Sequence, residues 1–178
     1  MTVQELIKKD STFSESSFIA KVDNIFIMLL SSIMTDNMDR VKHKISPEIY
    51  EKYLNYLNEL NSKNERQMYD ELNVKSTSIT SIDEDENDYI IKVLLVSRYM
   101  DYKVDKNSLK IIEGNNKNRI TINNNLIFKK TKNYKKESIA KKCPGCGANV
   151  DVNNTGKCEY CGSSYDTYNY DWILADIM

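Results

Sequence analysis

The chain has 178 residues, of which 40% are hydrophobic and 29% are charged, an ordinary composition for a globular protein. This length allows one main domain of about 130 residues, large enough to bury a core, and one small additional module. The formal net charge of −1 gives no strong signal for binding nucleic acid or an anionic membrane surface. Residues 1–10 are polar and do not resemble a signal peptide, and the most apolar run, residues 25–30, is too short to span a bilayer.

Three helices are predicted in the first third of the chain. Ser14 is a suitable N-cap for a long amphipathic helix over residues 15–35, and Asp36 is placed to cap a short second helix over residues 38–44. A third helix begins at Ser46 and Pro47, with serine at the N-cap and proline at the first helical position. The apolar residues that recur at helical spacing in the first and third helices are Phe18, Val22, Ile25, Phe26, Leu29, Leu30 and Ile33, then Ile49, Tyr50, Tyr53, Leu54, Leu57 and Leu60.

The pattern then changes from helical periodicity to strands. Residues 89–100 are apolar on both sides, which predicts a central strand, and residues 83–88 form an acidic turn before it. Ile120, Ile122, Leu126 and Phe128 keep even spacing and therefore share one face of a strand. The predicted strands cover residues 72–82, 89–100, 109–113 with a turn at Gly114, and 119–129. Helices followed by antiparallel strands predict an α+β fold.

The region that follows is unlike the rest of the chain. Residues 129–142 contain seven lysines and one glutamate, which is typical of a solvated linker, although lysines can also contact anionic lipid or nucleic acid. Residues 168–178 become aromatic and apolar again. We expect this last segment, which contains Trp172, to fold back onto the main domain.

All four cysteines of the chain lie between these two segments. Cys143, Cys146, Cys158 and Cys161 have the spacing Cys-x2-Cys-x11-Cys-x2-Cys, which predicts a single structural Zn²⁺ with four thiolate ligands in a small zinc ribbon. Gly147 and Gly162 each follow the second cysteine of a pair, where a glycine can adopt positive φ and point its N–H at a sulfur. Pro144 stiffens the first turn, and residues 153–156 supply the hairpin turn. A thioredoxin-like site would need one pair only, whereas an iron–sulfur cluster stays open as an alternative.

Short motifs in a fixed order carry a family resemblance. They are residues 10–18, 38–46, 50–57, 89–100, 111–114, 126–130 and the closing Trp-x-Leu-x-x-Ile at residues 172–177. In this order they resemble the bacterial relatives of the mitochondrial inner-membrane translocase subunit 44. The resemblance implies a cone like that of nuclear transport factor 2, in which helices lie in the mouth of a curved antiparallel sheet. It divides the chain into a cone-like domain at residues 10–134 plus 165–178 and an inserted zinc ribbon at residues 141–164.

The resemblance and the absence of a recognisable catalytic set favour a non-enzymatic, transport-related binding module. Its partner would be a peptide, a lipid or a protein, bound in or near a hydrophobic pocket between the first long helix and the sheet. Candidate pocket residues are Phe26, Leu30, Tyr53, Val93 and Phe128. We expect a cytoplasmic protein, with peripheral membrane association and the oligomeric state left open. The first alternative is a zinc-ribbon adaptor that docks on a partner or on a second copy.

A less favoured alternative is a cone-fold isomerase or hydrolase that uses Asp101 with Tyr99 and Tyr102. The exposed end of a strand explains these three residues equally simply. His43 lies between two lysines and is expected to be a surface residue rather than a catalytic base. The acidic residues 83–88 lack the glycine of a calcium-binding loop, so a solvated hairpin turn is expected there.

Overall fold

A computed structural model of the chain describes residues 1–132, 143, 146–149, 158–162 and 171–178. This part of the chain contains three α-helices, two short 3₁₀ turns and a five-stranded antiparallel sheet, in agreement with the predicted α+β class. The helices are α1 Val3–Lys9, α2 Glu15–Met34 and α3 Pro47–Ser62, and the 3₁₀ turns are Met38–Arg40 and Lys42–Lys44. The strands are β1 Glu65–Glu84, β2 Asp88–Asp105, β3 Ile111–Gly114, β4 Ile120–Thr131 and β5 Ile173–Ile177.

Helix α1 was missed by the sequence analysis, which assigned residues 1–10 no helix. The Thr2 hydroxyl accepts a hydrogen bond from the Glu5 N–H at 3.2 Å, and the Glu5 carboxylate accepts one from the Thr2 N–H at 2.6 Å. This reciprocal pair is a capping box, for which Thr-x-x-Glu is the sequence signal. Leu6 is the buried residue that attaches this short helix to the core.

The two longer helices begin where their capping residues predict. Ser14 accepts a hydrogen bond from the Ser17 N–H, and Ser46 accepts one from the Ile49 N–H at 3.3 Å. The predicted short second helix is wrong, because residues 38–44 form two 3₁₀ turns that meet at the fully buried Val41. Hydrogen bonds three residues apart, from Val41 to Met38 and from Lys44 to Val41, close these turns.

Helix α2 is long and apolar enough to cross a membrane, by length and composition alone. The sequence analysis considered only a shorter run and did not find this. The buried residues of α2 pack into the core against the sheet, and the core helix of a globular domain meets the same criteria. Burial in this core therefore accounts for the apolar composition of the helix.

Strand β2 is the central strand, as predicted. It pairs with β1 along one side, and with β4 and then β3 along the other, while β5 extends the sheet beyond β4. Strand β1 is longer than the predicted residues 72–82. Its pairing with β2 shifts register three times, at residues 70–73, 74–76 and 79–81. Each such bulge bends the strand and increases its twist, and a bulged strand loses the strict alternation that reveals a strand in a sequence.

The C-terminal segment folds back onto the main domain. Strand β5 pairs antiparallel with β4, and Trp172, just before it, is buried. The ring centroids of Trp172 and Phe18 are 5.2 Å apart, and those of Phe18 and Phe128 are 5.5 Å apart. These contacts join α2, β4 and the chain end in one hydrophobic core.

A shielded ion pair connects the segment after α1 to β4. The Asp10 carboxylate lies 2.5 Å from the Lys130 ammonium, and their side chains are only 11% and 16% exposed. Burial alone would raise the pKa of Asp10, but hydrogen bonds from Lys130 and Thr12 lower it below its usual value. The stability from this pair is therefore present above the unfolded-state pKa of about 3.9 and is lost as pH falls through the lower folded-state pKa.

We expect Asp10→Asn to lower the free energy of unfolding at pH 7 and to flatten its decline in acid, because the ionisable partner of Lys130 is gone. Urea denaturation between pH 7 and pH 3 measures both effects. Glu51→Gln is the matched control, since it removes one exposed negative charge from α3. Stability curves that stay parallel for the wild type and Asp10→Asn would contradict the prediction.

Candidate metal centre

The two cysteine pairs form two backbone turns of the same kind. The Gly147 N–H donates to the Cys143 carbonyl at 2.9 Å, and the Gly162 N–H donates to the Cys158 carbonyl at 2.9 Å. Both glycines have positive φ, 72° and 71°, as predicted. Their N–H groups bond to these carbonyl oxygens, however, and not to a sulfur as the sequence analysis supposed. The positive φ thus closes each turn and leaves its two sulfurs on the same side.

The turns bring all four sulfurs together. The Sγ atoms of Cys143, Cys146, Cys158 and Cys161 all lie within 4.8 Å of one another. The Cys143–Cys161 and Cys146–Cys158 sulfur distances are 3.5 Å and 3.7 Å. Four sulfurs bonded to one tetrahedral ion at about 2.3 Å would be about 3.8 Å apart. The observed spacing is therefore compatible with a single ion and leaves no room for the several metal and sulfide atoms of a cluster.

Each cysteine pair combines one buried and one exposed residue. Cys143 and Cys158 are each only 3% exposed, whereas Cys146 and Cys161 are exposed, and all four are free thiols rather than disulfides. Four protein sulfurs fill every position of a tetrahedral ion, which is the arrangement of structural zinc sites.

The neighbouring thiols raise the pKa of Cys146. The Ala148 N–H lowers the pKa of the Cys146 thiol, but hydrogen bonds with the Cys161, Cys158 and Cys143 thiols, together with burial, raise this pKa to about 12 overall. With its pKa raised in this way, Cys146 keeps its proton at pH 7 when no metal is bound. A divalent cation would displace thiol protons and stabilise the thiolates instead.

A protein-family model described as the Tim44-like domain matches residues 1–138. The chain belongs to the Tim44-like domain family. No curated protein matches it. The matched residues contain α1 to α3 and β1 to β4, and they end before Cys143. The four-cysteine centre and β5 therefore lie outside the match, although β5 pairs with β4 of the Tim44-like domain.

The residues predicted to line a hydrophobic pocket mostly lie in the core of the Tim44-like domain. Phe26, Leu30, Val93 and Phe128 are each no more than 7% exposed and belong to one packed cluster. Tyr53 is half-buried and packs against this cluster. The pocket therefore stays a prediction, and these side chains are part of the packed core or lie against it.

The three residues of the enzyme alternative do not share one face of β2. Tyr99 and Asp101 lie on one face of β2, whereas Tyr102 lies on the opposite face and donates from its hydroxyl to Asp70 at 2.5 Å. Burial raises the pKa of Tyr99 to about 12, and the bond to Asp70 raises that of Tyr102 to about 12, so both phenols keep their protons at pH 7. His43 is half-buried in a 3₁₀ turn rather than exposed, which corrects the expectation of a surface residue.

The acidic segment between β1 and β2 is a hairpin turn, as predicted. The Asp85 carboxylate accepts hydrogen bonds from the backbone N–H groups of Asn87 and Asp88. Aspartate in a turn commonly bonds its own backbone in this way. Pro144, the predicted turn at residues 153–156 and most of the lysine-rich segment lie outside the described residues.

Sequence analysis also missed a polar cavity of about 270 Å³ at one end of the sheet. Gln67, Asp101, Lys103 and Glu113 are among its lining residues. Of these four residues, only Asp101 was singled out from the sequence as a candidate site residue. The register that brings Gln67 opposite Lys103 and beside Asp101 depends on pairing between β1 and β2, so no local signal indicates it.

Proposed function

We propose that this Tim44-like chain is a non-enzymatic, transport-related module that binds an extended protein segment at an exposed sheet edge and carries one structural Zn²⁺. The single observation that carries the binding role is an apolar strand edge that no other described strand covers. We call the residues Leu109, Ile111, Ile112 and Ile120 the β3 edge; their exposed fractions are 67%, 41%, 49% and 41%. Neighbouring exposed apolar side chains of this kind commonly mark a surface that another protein covers.

The backbone of the β3 edge is also available. Within the described ranges, β3 pairs with β2 alone, so one side of the strand presents unpaired N–H and C=O groups. A peptide can add to such an edge as a further strand, with main-chain hydrogen bonds for affinity and apolar side chains for selectivity. A lipid tail cannot satisfy these polar groups, so the edge favours a protein segment over a lipid.

The proposal includes a zinc ribbon inserted into the Tim44-like sheet. Four sulfurs within 4.8 Å of one another support a single Zn²⁺, and the cysteines lie in the chain between the neighbouring strands β4 and β5. The ion would fix this connection and leave no open position for substrate. The cone arrangement is part of the same proposal, and the three bulges of β1 support a strongly bent sheet.

The ribbon suggests a second candidate function, a zinc-ribbon adaptor. Tyr160 lies within the second cysteine pair and is 77% exposed. Exposed aromatic side chains are common anchors in protein interfaces, because they offer a large contact area at a small entropic cost. A partner could therefore dock on the ribbon instead of the β3 edge.

Site-specific photo-crosslinking in the native host distinguishes these functions. A photoreactive side chain at position 112 samples the β3 edge, one at position 160 samples the ribbon, and one at position 27, an apolar residue of α2 with 39% exposure, is the control. We expect a defined protein adduct from position 112 that Ile111→Pro abolishes and Ile27→Lys leaves unchanged. An adduct from position 160 alone would support the adaptor, and no adduct at either would overturn both functions.

Cytoplasmic location with peripheral membrane contact is the corresponding proposal for localisation. It is supported by the membrane association expected of Tim44-like domains. Flotation of the zinc-loaded protein with anionic lipid vesicles, in the presence and absence of high salt, tests this contact.

A further inference from the structure

The polar cavity lies where the strand opposite β2 is interrupted. Strand β4 pairs with β2 up to the Tyr99–Ile120 pair, and β3 resumes the pairing at Tyr102–Gly114. Asp101 falls in the gap between these pairs. The residues between β3 and β4 begin here, where the Asn115 N–H donates to the Asp101 carbonyl at 3.3 Å, and a cavity of about 270 Å³ has Asp101 and Asn115 in its lining.

Asp101 is held in a fixed orientation. Its Oδ1 accepts a hydrogen bond from the Gln67 side-chain N–H at 2.7 Å, and Gln67 is only 3% exposed. Gln67 is itself anchored, because its amide oxygen accepts a bond from the Tyr56 hydroxyl at 2.8 Å and its amide nitrogen also donates to the Tyr102 carbonyl at 3.1 Å. Because the oxygen and the nitrogen of this buried amide are both hydrogen-bonded, Gln67 holds the Asp101 carboxylate in one orientation.

The cavity carries an uncompensated negative charge. Lys103 and Glu113 lie 2.8 Å apart and neutralise each other. The side-chain Oδ1 of Asn115 accepts from the backbone N–H groups of Lys117 and Asn118, so this acceptor is occupied. Asp101, by contrast, forms no ion pair with any residue that the structure describes. Of the polar groups lining the cavity, its carboxylate has the most remaining capacity to accept hydrogen bonds from a ligand.

We propose that this cavity binds an organic cation, a guanidinium or alkylammonium group, against the Asp101 carboxylate. An anion would be repelled by Asp101, and an apolar ligand would strip water from polar lining groups without replacing their hydrogen bonds. A cation with several N–H donors satisfies the carboxylate, and Glu113 adds a second acidic side chain to the cavity lining. The small volume fits one such group on a short chain rather than a large ligand.

This inference goes beyond the proposed function, because segment binding at the β3 edge does not require a cation. The cation has two sources with the same chemistry, a free small amine or the basic side chain of a protein segment. Ile120 belongs both to the cavity lining and to the β3 edge, so a side chain arriving along that edge can enter the cavity.

Titration of the zinc-loaded protein with n-propylguanidinium, followed by NMR, tests the proposal. We expect saturable shifts of the Gln67 side-chain amide and the Asn115 backbone amide, and no saturable response to propionate. Asp101→Asn should weaken binding roughly tenfold or more, because it removes a charge-assisted bond but keeps an oxygen that can accept from Gln67. Glu51→Gln, an equal change of charge on the exposed face of α3, should leave affinity unchanged.

A second pair of probes separates the two sources. Tighter binding of the blocked peptide Ile-Arg-Ile than of n-propylguanidinium supports a basic side chain of a protein segment, whereas equal binding supports a free amine. Thermal melting of Asp101→Asn confirms that the variant is folded, and Glu113→Gln, expected to weaken binding by a smaller factor, provides a second variant. Equal affinity of Asp101→Asn and wild type, or equal binding of propionate, would overturn the inference.

Discussion

Removal of the metal is expected to unfold the segment around the four cysteines while strands β1 to β4 remain folded. The described part of this segment contributes only Cys143 and Cys158 as buried hydrophobic residues, so it has little core of its own. Metal binding can supply about 10 kcal/mol or more of folding free energy to such a module. Hydrogen exchange followed by mass spectrometry, with and without a chelator, should show loss of protection in residues 143–162 and little change in β2.

Cys143→Ser should produce the same local unfolding and abolish stoichiometric zinc in native mass spectra. Tyr160→Ser is the matched control, because Tyr160 lies within the second cysteine pair and is exposed but is no ligand. It should retain zinc and protection. Protein that purifies without zinc, together with a Cys143→Ser variant as protected as wild type, would refute the metal centre.

Gly114→Ala is expected to destabilise the domain by about 3 kcal/mol, the sum of left-handed backbone strain and steric overpacking. Gly114 has φ +73°, and a Cβ there would lie 2.2 Å from the Asp101 carbonyl oxygen and 2.8 Å from the Tyr102 Cα. These are backbone atoms, so relief requires breaking the Tyr102–Gly114 pair between β2 and β3. Urea denaturation and amide exchange across that pair measure the loss.

Gly162→Ala distinguishes the cost of left-handed backbone strain from the cost of the steric clash. Gly162 has nearly the same φ, +71°, but an added Cβ meets no atom of the described residues within 4 Å. We expect a cost of only about 1 kcal/mol, from backbone strain alone. Equal losses for the two variants would mean that the close approach of β3 to Asp101 contributes nothing.

Sequence predictions succeeded where the signal is local. The α2 and α3 helices repeat apolar residues every three to four positions and begin at serine caps, and the spacing of the four cysteines predicted their convergence. Helix α1 carried an equally local signal in its Thr-x-x-Glu capping box, which the analysis overlooked. The central position of β2 followed from its two apolar sides.

The predictions failed where long-range pairing overrides local preference. Residues 38–44 look helical, but burial of Val41 between two turns replaces the helix with 3₁₀ geometry. The bulges of β1 depend on its register with β2, so alternation in the sequence could not indicate its full length. An apolar pattern in a sequence cannot distinguish residues that line a pocket from residues that fill a packed core, because both consist of apolar side chains.

By itself, the sequence determined helices α2 and α3, the run of strands and a four-cysteine centre, because each depends on residues close together in the chain. Only the tertiary structure decided which strand the returning chain end pairs with, that the β3 edge is exposed, and that Gln67 holds Asp101 in a cavity. Those features join residues that lie 34 or more positions apart in the chain, as Gln67 and Asp101 do, or depend on which neighbours cover a strand. The physical reason is that register and burial are properties of the assembled sheet and not of any one of its segments.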